Sequence, residues 1–418
     1  MSKTINVLEL FAGVGGFRVG LESADENIFK TLWANQWEPS RKSQDAFEVY
    51  DYHFRTSENI NRSIEDITDE DFKKMNADLI VGGFPCQDYS VARGKHNEQG
   101  IEGKKGVLFW EIIRATKIIK PKYLILENVD RLLKSPSTQR GRDFAIMLAA
   151  FNELGYTVEW RVINGAEYGR PQRRKRVFFF IFRNDSKQFS KVKYQHDCEN
   201  QILLENYLLT DGLFATQFPI QSDINKERKV FMHLEEDLLA ISESFRGVFW
   251  NTGIMTAGKV LTIDTIPNYT GSELTLGDIV EDIADTPKKF FLNKEKLEKF
   301  EYLRGAKKIN RTSKDGHEYL YSEGKMSKYD ELDKPSRTML TSEGTTNRST
   351  HILKQNGIVR LITPIEAERL QDFPDDWTKF KLQDNKKVLV PDRMRMFFMG
   401  NALITEIVRS IGNYIKDI

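Results

Sequence analysis

The stretch LIVGGFPCQDYS, Leu79 to Ser90, runs from an apolar segment through two glycines into Phe84, Pro85 and Cys86. The apolar run reads as a central strand, and the glycines as a close-packed exit from it. Pro85 fixes the local backbone just before the thiol. The chain has only two cysteines, Cys86 and Cys198. Cys86 is therefore either a small packed hydrophobe or a nucleophile, and the residues around it have to decide.

Working outward, the first 185 or so residues alternate between strands and helices. INVLEL, FKTLWA, ADLIVGGF, KYLILENV, YTVEWRVI and RVFFFIF read as strands, and residues 106–119 and 142–154 as helices. This pattern predicts an α/β fold, a doubly wound sheet with helices on both faces. Ligands of such sheets bind beyond the carboxyl ends of the strands. Three unusual segments fall at such ends. FAGVGGF (Phe11 to Phe17) follows INVLEL, Pro85-Cys86-Gln87 follows LIVGGF, and KYLILENV closes on Glu127 and Asn128. A glycine loop, a thiol and a carboxyl group are thus delivered to one rim. Alone, Glu127 reads as a helix cap or a solvated strand end, and the glycines as a tight turn. Their common placement favours chemistry. A dinucleotide fingerprint would need a third glycine where Arg18 stands, so hydride transfer loses support.

Composition sets the outer limits. The 418 residues are 40% hydrophobic and 29% charged, enough to bury a large core and to form two structural units. No apolar run approaches ~18 residues, and no basic, apolar and small-residue leader opens the chain, so a soluble cytoplasmic protein with no membrane span is expected. With two cysteines and no CxxC or Cys/His spacing, no metal is expected either. Net charge is +1, so a polyanionic partner has to be judged from local density. The densest basic runs are RPQRRKR (Arg170 to Arg176) and RGAKKINR (Arg304 to Arg311). From about Asn184 to Asp333 the pattern loosens, which predicts units at 1–183, 184–332 and 333–418, the last returning to the first. In that last unit TPIEAERLQDF reads as a helix with Thr363 as N-cap, Pro364 at the first position and Glu366 three residues after the cap. A final helix is expected from about Ala402.

Taken together, FAGVGGF, GGFPCQDYS, ENV, YGRPQRRKRVFFF, RLITPIEAERLQDFP and MGNAL resemble, in order and approximate spacing, the DNA cytosine methyltransferases that modify carbon 5. The resemblance covers residues 1 to about 183 and about 333 to 418, and places a variable target-recognition domain between them. It implies a methyltransferase-type α/β domain, S-adenosylmethionine as cofactor, duplex DNA as substrate and a flipped target cytosine. A cognate restriction endonuclease reading the same sequence and a monomeric enzyme are further expectations from this family.

The resemblance also implies roles. Cys86 would add to carbon 6 of cytosine, making carbon 5 nucleophilic. Glu127 would hydrogen-bond ring nitrogen 3 and the exocyclic amine, and Arg174 and Arg176 would hold the cytosine oxygen and adjacent phosphate. Arg173 and Lys175, alternating with them, would point the other way as solvated charge. Phe11, Gly13 and Gly15 would form the cofactor loop, Trp37 would stack beside the adenine, Asp66 would read its amine, and Asn401 with Ala402 would form the last strand-helix turn. At the ribose the family carries an acidic residue where this chain has Gln36, which accepts without charge assistance, and Glu38 stands two residues on. ARGKHNEQGIEGKKG matches the loop that closes over DNA. For target reading the candidates are NTGIMTAGKVLT and the basic segment ending at Arg311, with Ser336-Arg337-Thr338 positioning that region. Two other readings stand beside this one. A tRNA cytosine methyltransferase would share the catalytic set but carry CFT after ENV, where this chain has RLLKSPSTQR. A non-catalytic DNA-binding homologue would lack the thiol or the carboxyl group.

Overall fold

The six apolar runs become strands of one mixed sheet. The computed structural model describes residues 4–85, 108–193, 201–222, 226–235, 237–312 and 316–418. Its strands are β1 (Ile5–Leu10), β2 (Phe29–Asn35), β3 (Glu58–Ile60), β4 (Leu79–Gly83), β5 (Tyr123–Val129), β6 (Tyr156–Asn164), β7 (Gln172–Arg173), β8 (Lys175–Arg183), β9 (Lys229–His233), β10 (Thr252–Thr256) and β11 (Lys259–Ile263). The central sheet has the order β3-β2-β1-β4-β5-β8-β6-β10-β11-β9. The pairs among β1 to β5 are parallel, and from β5–β8 onward every pair is antiparallel.

Residues alternate between two cores, as period-2 strands require. Leu8, Ile80, Leu124 and Phe179 face one core with helices α3 (Leu108–Ile119) and α4 (Arg142–Glu153). Val7, Val81, Ile125 and Phe180 face the other with α1 (Gly16–Asp25), which α2 (Asp45–His53) follows along the chain. The last helix of the chain, Thr405–Ile415, shares that second core. It fits against α1 because Gly20 carries no side chain; a Cβ there would lie 2.5 Å from Val408 Cβ. Helices on both faces of an α/β sheet are what the alternation predicts.

The sheet does not stop near residue 183. β10 and β11 form a hairpin whose turn, Ala257-Gly258, has positive φ at both residues, and it joins β6 through β10. NTGIMTAGKVLT is therefore largely sheet: Thr252 to Thr256 are all buried, and the stretch does not offer base-reading side chains along β10.

Beyond the sheet come helix α5 (Lys294–Arg304), an antiparallel ribbon of β12 (Lys307–Thr312) and β13 (Glu318–Glu323), and β14 (Ser336–Arg337), which pairs in parallel with β7. Helix α6 (Pro364–Leu370) starts with the expected reciprocal cap: Glu366 N–H donates to Thr363 Oγ1 (3.2 Å) and Thr363 N–H to Glu366 Oε2 (2.8 Å). Helix α7 (Asp392–Asn401) is followed by α8 (Thr405–Ile415). Asn401 thus ends α7 and Ala402 opens a short helix-to-helix link, where a strand-helix turn was expected, and the final helix begins three residues after Ala402.

Candidate active site

Parallel strands end on the same side, and their register aligns the ends. Leu10 sits beside Asn35 and Gly82, and Gly83 beside Glu127. The residues just past these positions therefore meet. They line a cleft of about 720 Å³ together with Leu108, Arg176 and residues 400–403 at the end of α7, within the size range of small-molecule and cofactor sites.

Two main-chain features shape its floor. Phe11 and Gly13 have positive φ, and a Cβ at Gly13 would meet no atom within 4 Å, so the loop's backbone is open to the cleft there. Its amide is held from the β2 end: Gly13 N–H donates to Gln36 Oε1 at 2.8 Å. Gln36 is buried, and this bond orients its amide nitrogen away from Gly13. Trp37, 40% exposed, and Glu38 line the same wall. Burial raises the Glu38 carboxyl, with its Arg41 partner opposing the shift.

At the β4–β5 edge, Gly83 makes room for a carboxyl group. A Cβ there would lie 3.1 Å from Glu127 Oε2. Glu127 is ion-paired with Arg176 (Nε–Oε1 2.8 Å), and their side chains are 13% and 19% exposed. Burial raises the Glu127 pKa above the ordinary glutamate value, and Arg176 and then Arg174 oppose the rise. Next to it, the Asn128 amide donates to Phe84 O at 2.9 Å, fixing the β4 exit immediately before Pro85 and the residue bonded to it, Cys86. Cys86 and the whole ARGKHNEQGIEGKKG stretch lie outside the described residues.

The remaining expected residues divide. Phe11, Gly13, Gln36, Trp37, Glu127, Arg176, Asn401 and Ala402 line the cleft, whereas Gly15, Asp66 and Arg174 are not among its described lining residues. Gly15 caps α1 with positive φ, and Asp66 is exposed in a one-turn 3₁₀ segment, Ile64–Asp66. The RRKR alternation is as expected for Arg173 and Lys175, both exposed, but its inward members part company. Arg176 enters the cleft. Arg174 is 1% exposed and donates to Met339 O (3.1 Å) and Gly400 O (3.0 Å), bracing β8 against the returning segment and against the Gly400–Leu403 wall. Burial lowers its pKa to about 9, with Arg176 adding to the shift.

Two contributors escape a reading of motifs. Asn128 is one, although it stands in ENV. The other is Trp377, whose indole N–H donates to Val14 O at 2.8 Å and clamps the glycine loop from a distant part of the chain. Among the described residues no group of three or more His, Cys, Asp or Glu is placed to hold a metal, and no helix is long and apolar enough to cross a membrane.

Comparison with known proteins bears on this geometry. Residues 5–417 match the family model described as C-5 cytosine-specific DNA methylase. The chain is 54% identical over 414 residues to the type II methyltransferase M.Sau3AI of Staphylococcus aureus, spanning 99% of this chain and 96% of that one. It is 34% identical over 209 residues to the type II methyltransferase M.HhaI of Haemophilus parahaemolyticus, spanning 50% of this chain and 58% of the relative. The crystal structure of the S. pombe Dnmt2 methyltransferase shares the fold, with TM-score 0.59 and 15% identity over 99% of this chain and 98% of that one.

Proposed function

The chain belongs to the family of C-5 cytosine-specific DNA methylases and is a DNA (cytosine-5-)-methyltransferase; from that premise we propose that it methylates a cytosine flipped out of a specific duplex sequence, using S-adenosylmethionine and a covalent bond to Cys86. The observation that carries this reading is the Glu127–Arg176 pair at the end of β5, beside the Gly83-Phe84-Pro85 exit that leads to the thiol. The high identity to a type II methyltransferase supports a role beside a restriction endonuclease of the same target sequence.

The cleft fits the cofactor on its own terms. Gly13 leaves open space against its Cα, Trp37 offers an exposed aromatic face, and Gln36 and Glu38 bring polar groups to the β2 end where a ribose would lie. When bound, S-adenosylmethionine supplies an electrophilic methyl group. Gln36 oxygen already accepts from Gly13, so its amide nitrogen is the group available to ribose oxygens.

The chain's own residues do the rest. The Cys86 thiolate adds to carbon 6 of the flipped base, and the electron pair this places on carbon 5 attacks the methyl group, whose bond to sulfur breaks so that S-adenosylhomocysteine leaves. A base then removes the carbon 5 proton, and the thiolate leaves as the ring double bond re-forms. Glu127, kept protonated by burial more than an exposed glutamate would be, hydrogen-bonds nitrogen 3 where negative charge develops. Arg176 fixes that carboxyl group and presents its guanidinium to the base oxygen. Arg174 serves from behind, holding the Gly400 carbonyl of the cofactor wall. Extruding the base costs a few kcal/mol, which contacts in the DNA cleft must offset.

Transfer of labelled methyl groups from S-adenosylmethionine to duplex DNA, with tRNA in parallel, tests the reading. Label in duplex cytosine alone is the expected result. Label confined to tRNA, or none, would overturn it.

A further inference from the structure

We propose that the buried chain of Ser336, His351 and Glu343 is a positioning relay for methyl transfer, which sets β14 against β7 and so holds Arg174, Arg176 and the cofactor wall; the inference rests on the methylation reading above. His351 Nε2 lies 2.8 Å from Ser336 Oγ and Nδ1 2.9 Å from Glu343 Oε2, while Glu343 Oε1 accepts the His351 N–H at 2.6 Å. Ser336, His351 and Glu343 are 3%, 0% and 3% exposed. A hydroxyl, an imidazole and a carboxyl group in this order are also the parts of a nucleophile triad. Here burial closes them to substrate. None of the three lines the cleft, and the Ser336 hydroxyl is committed to Arg337 O at 2.9 Å.

The hydrogen bonds fix the polarity of the relay. Because Ser336 donates to Arg337 O, it accepts from His351, so Nε2 carries a hydrogen. Nδ1 and a carboxylate oxygen would repel if both presented bare lone pairs, so a proton also lies between them, whichever atom holds it. Each polar atom of the three side chains then has a partner, and a satisfied buried network specifies one geometry.

That geometry reaches the base pocket through β14. Ser336 N–H donates to Pro171 O, and β14 pairs with Gln172 and Arg173 of β7. Further on, Met339 N–H donates to Gln172 Oε1 (2.9 Å), and Met339 O accepts from Arg174, whose other nitrogen holds Gly400 O. Arg176, the partner of Glu127, follows two residues after Arg174. The carboxyl end of the relay approaches the same wall. Glu343 stands in a loop so close to the end of α7 that a Cβ at Gly400 would collide with Thr341 N. The relay thus acts through the arginines and not on the substrate. Even a misplacement of about 1 Å, made at a distance from the chemistry, can cost roughly 10²-fold in rate.

A second clamp runs beside the relay. Asp330 accepts from Arg337 (2.5 Å), the neighbour of Ser336, and from Ile352 N–H (2.9 Å), the neighbour of His351. Cutting the relay should therefore leave the segment folded.

The test uses the full chain, S-adenosylmethionine and a duplex carrying the site that bisulfite sequencing locates in DNA from expressing cells. Ser336→Ala deletes the hydroxyl and Glu343→Ala the carboxyl group, whereas Glu343→Gln can still accept from His351 N–H and offer an amide hydrogen to Nδ1. Both alanine variants should lower kcat about tenfold at a temperature well below their unfolding midpoints, with KM for DNA unchanged. Calorimetry without DNA should show S-adenosylmethionine bound about threefold more weakly by both, since Gly400 is held through the same chain. Glu343→Gln should stay within about twofold of wild type on both readouts. Lower midpoints with wild-type kcat and affinity in the alanine variants would reduce the chain to a stabilising contact and overturn the proposal. So would a Glu343→Gln variant as impaired as Glu343→Ala, because hydrogen bonding would then not be what acts. Should Glu343→Ala not fold, Ser336→Ala, which deletes a single hydroxyl, decides alone. A wild type that methylates no duplex would strike the methylation reading itself, and the calorimetric comparison would still judge the relay.

Discussion

The central sheet has two halves that meet where β5 pairs with β8, and they do different work. On the parallel side β1, β2, β4 and β5 stop at one rim and hand a backbone loop, a carboxamide, a turn and a carboxyl group to the same cleft. On the antiparallel side β6, β10 and β11 run in alternating directions, so their ends diverge, and their side chains fill the two cores. The contrast is one of direction: parallel strands concentrate chemistry at one end, whereas antiparallel strands supply packing. Substitutions at the rim should therefore alter rate and spare stability, and those on the far side should do the reverse.

The largest effect is expected at the rim. Cys86→Ala should abolish methyl transfer while cofactor binding and the unfolding midpoint remain, measured by filter assay, calorimetry and urea titration; normal turnover would remove the thiol from the reaction. Glu127→Gln should follow, lowering kcat by roughly 10²–10⁴ because an amide cannot supply the proton. An unchanged kcat would take Glu127 out of the mechanism.

Glu9 probes where the contrast could break, because it lies on parallel strand β1 yet faces inward. It is fully buried beneath the glycine loop, accepts from Tyr50 hydroxyl (3.0 Å) and Arg18 N–H (3.4 Å), and burial lifts its pKa to about 7. The folded chain thus keeps a proton that the unfolded chain releases near 4.5, and stability from this group is full below pH 4.5 and lost as pH rises towards 7. The whole window corresponds to about 3 kcal/mol. Glu9→Gln should flatten that slope, so unfolding free energies of variant and wild type should diverge from pH 4.5 to 7. Parallel curves would contradict the assignment.

On the far side, Gly253→Ala would place a Cβ 2.1 Å from Trp160 Cζ2 in the β6–β10 pair. It should lower unfolding free energy by about 1–3 kcal/mol and leave KM unchanged. A rate effect without a stability effect would blur the contrast. The smallest change is expected for Gln36→Glu: a carboxylate would accept from Gly13 with charge assistance and keep a second oxygen for the ribose, tightening cofactor binding roughly threefold. Calorimetric titration reads this, and weaker binding would show that the amide nitrogen is the group the ribose needs.

The same contrast explains what the sequence discloses. Parallel strands such as LIVGG and YLIL are buried on both faces, so they stand out as unbroken apolar runs, and the loops at their ends carry the glycines and the carboxyl group. Thr363, Pro364 and Glu366 announce their helix by local rules alone. The far part of the antiparallel half, β9 to β11, hides behind polar letters. Thr256 bonds Thr157 of β6 at 2.9 Å, and Thr252 bonds Thr265 at 2.7 Å, so residues of a stretch that reads as irregular are buried and satisfied. Arg174 and Arg176 show the limit of periodicity. Spacing puts both on one face, but the carbonyls that claim Arg174 come from Met339 and Gly400, contributed by segments distant along the chain. Trp377 reaches the glycine loop from equally far away.

The central claim is a covalent route to carbon 5, and trapping tests it most directly. The chain would be incubated with S-adenosylmethionine and a duplex bearing 5-fluorocytosine at the target position, then weighed by intact mass spectrometry. Fluorine cannot leave carbon 5 as a proton does, so elimination should stall. The account predicts a stable adduct of protein, DNA strand and one methyl group, absent from Cys86→Ala. Wild-type protein that turns over ordinary duplex yet forms no adduct, or an adduct that survives in Cys86→Ala, would contradict it.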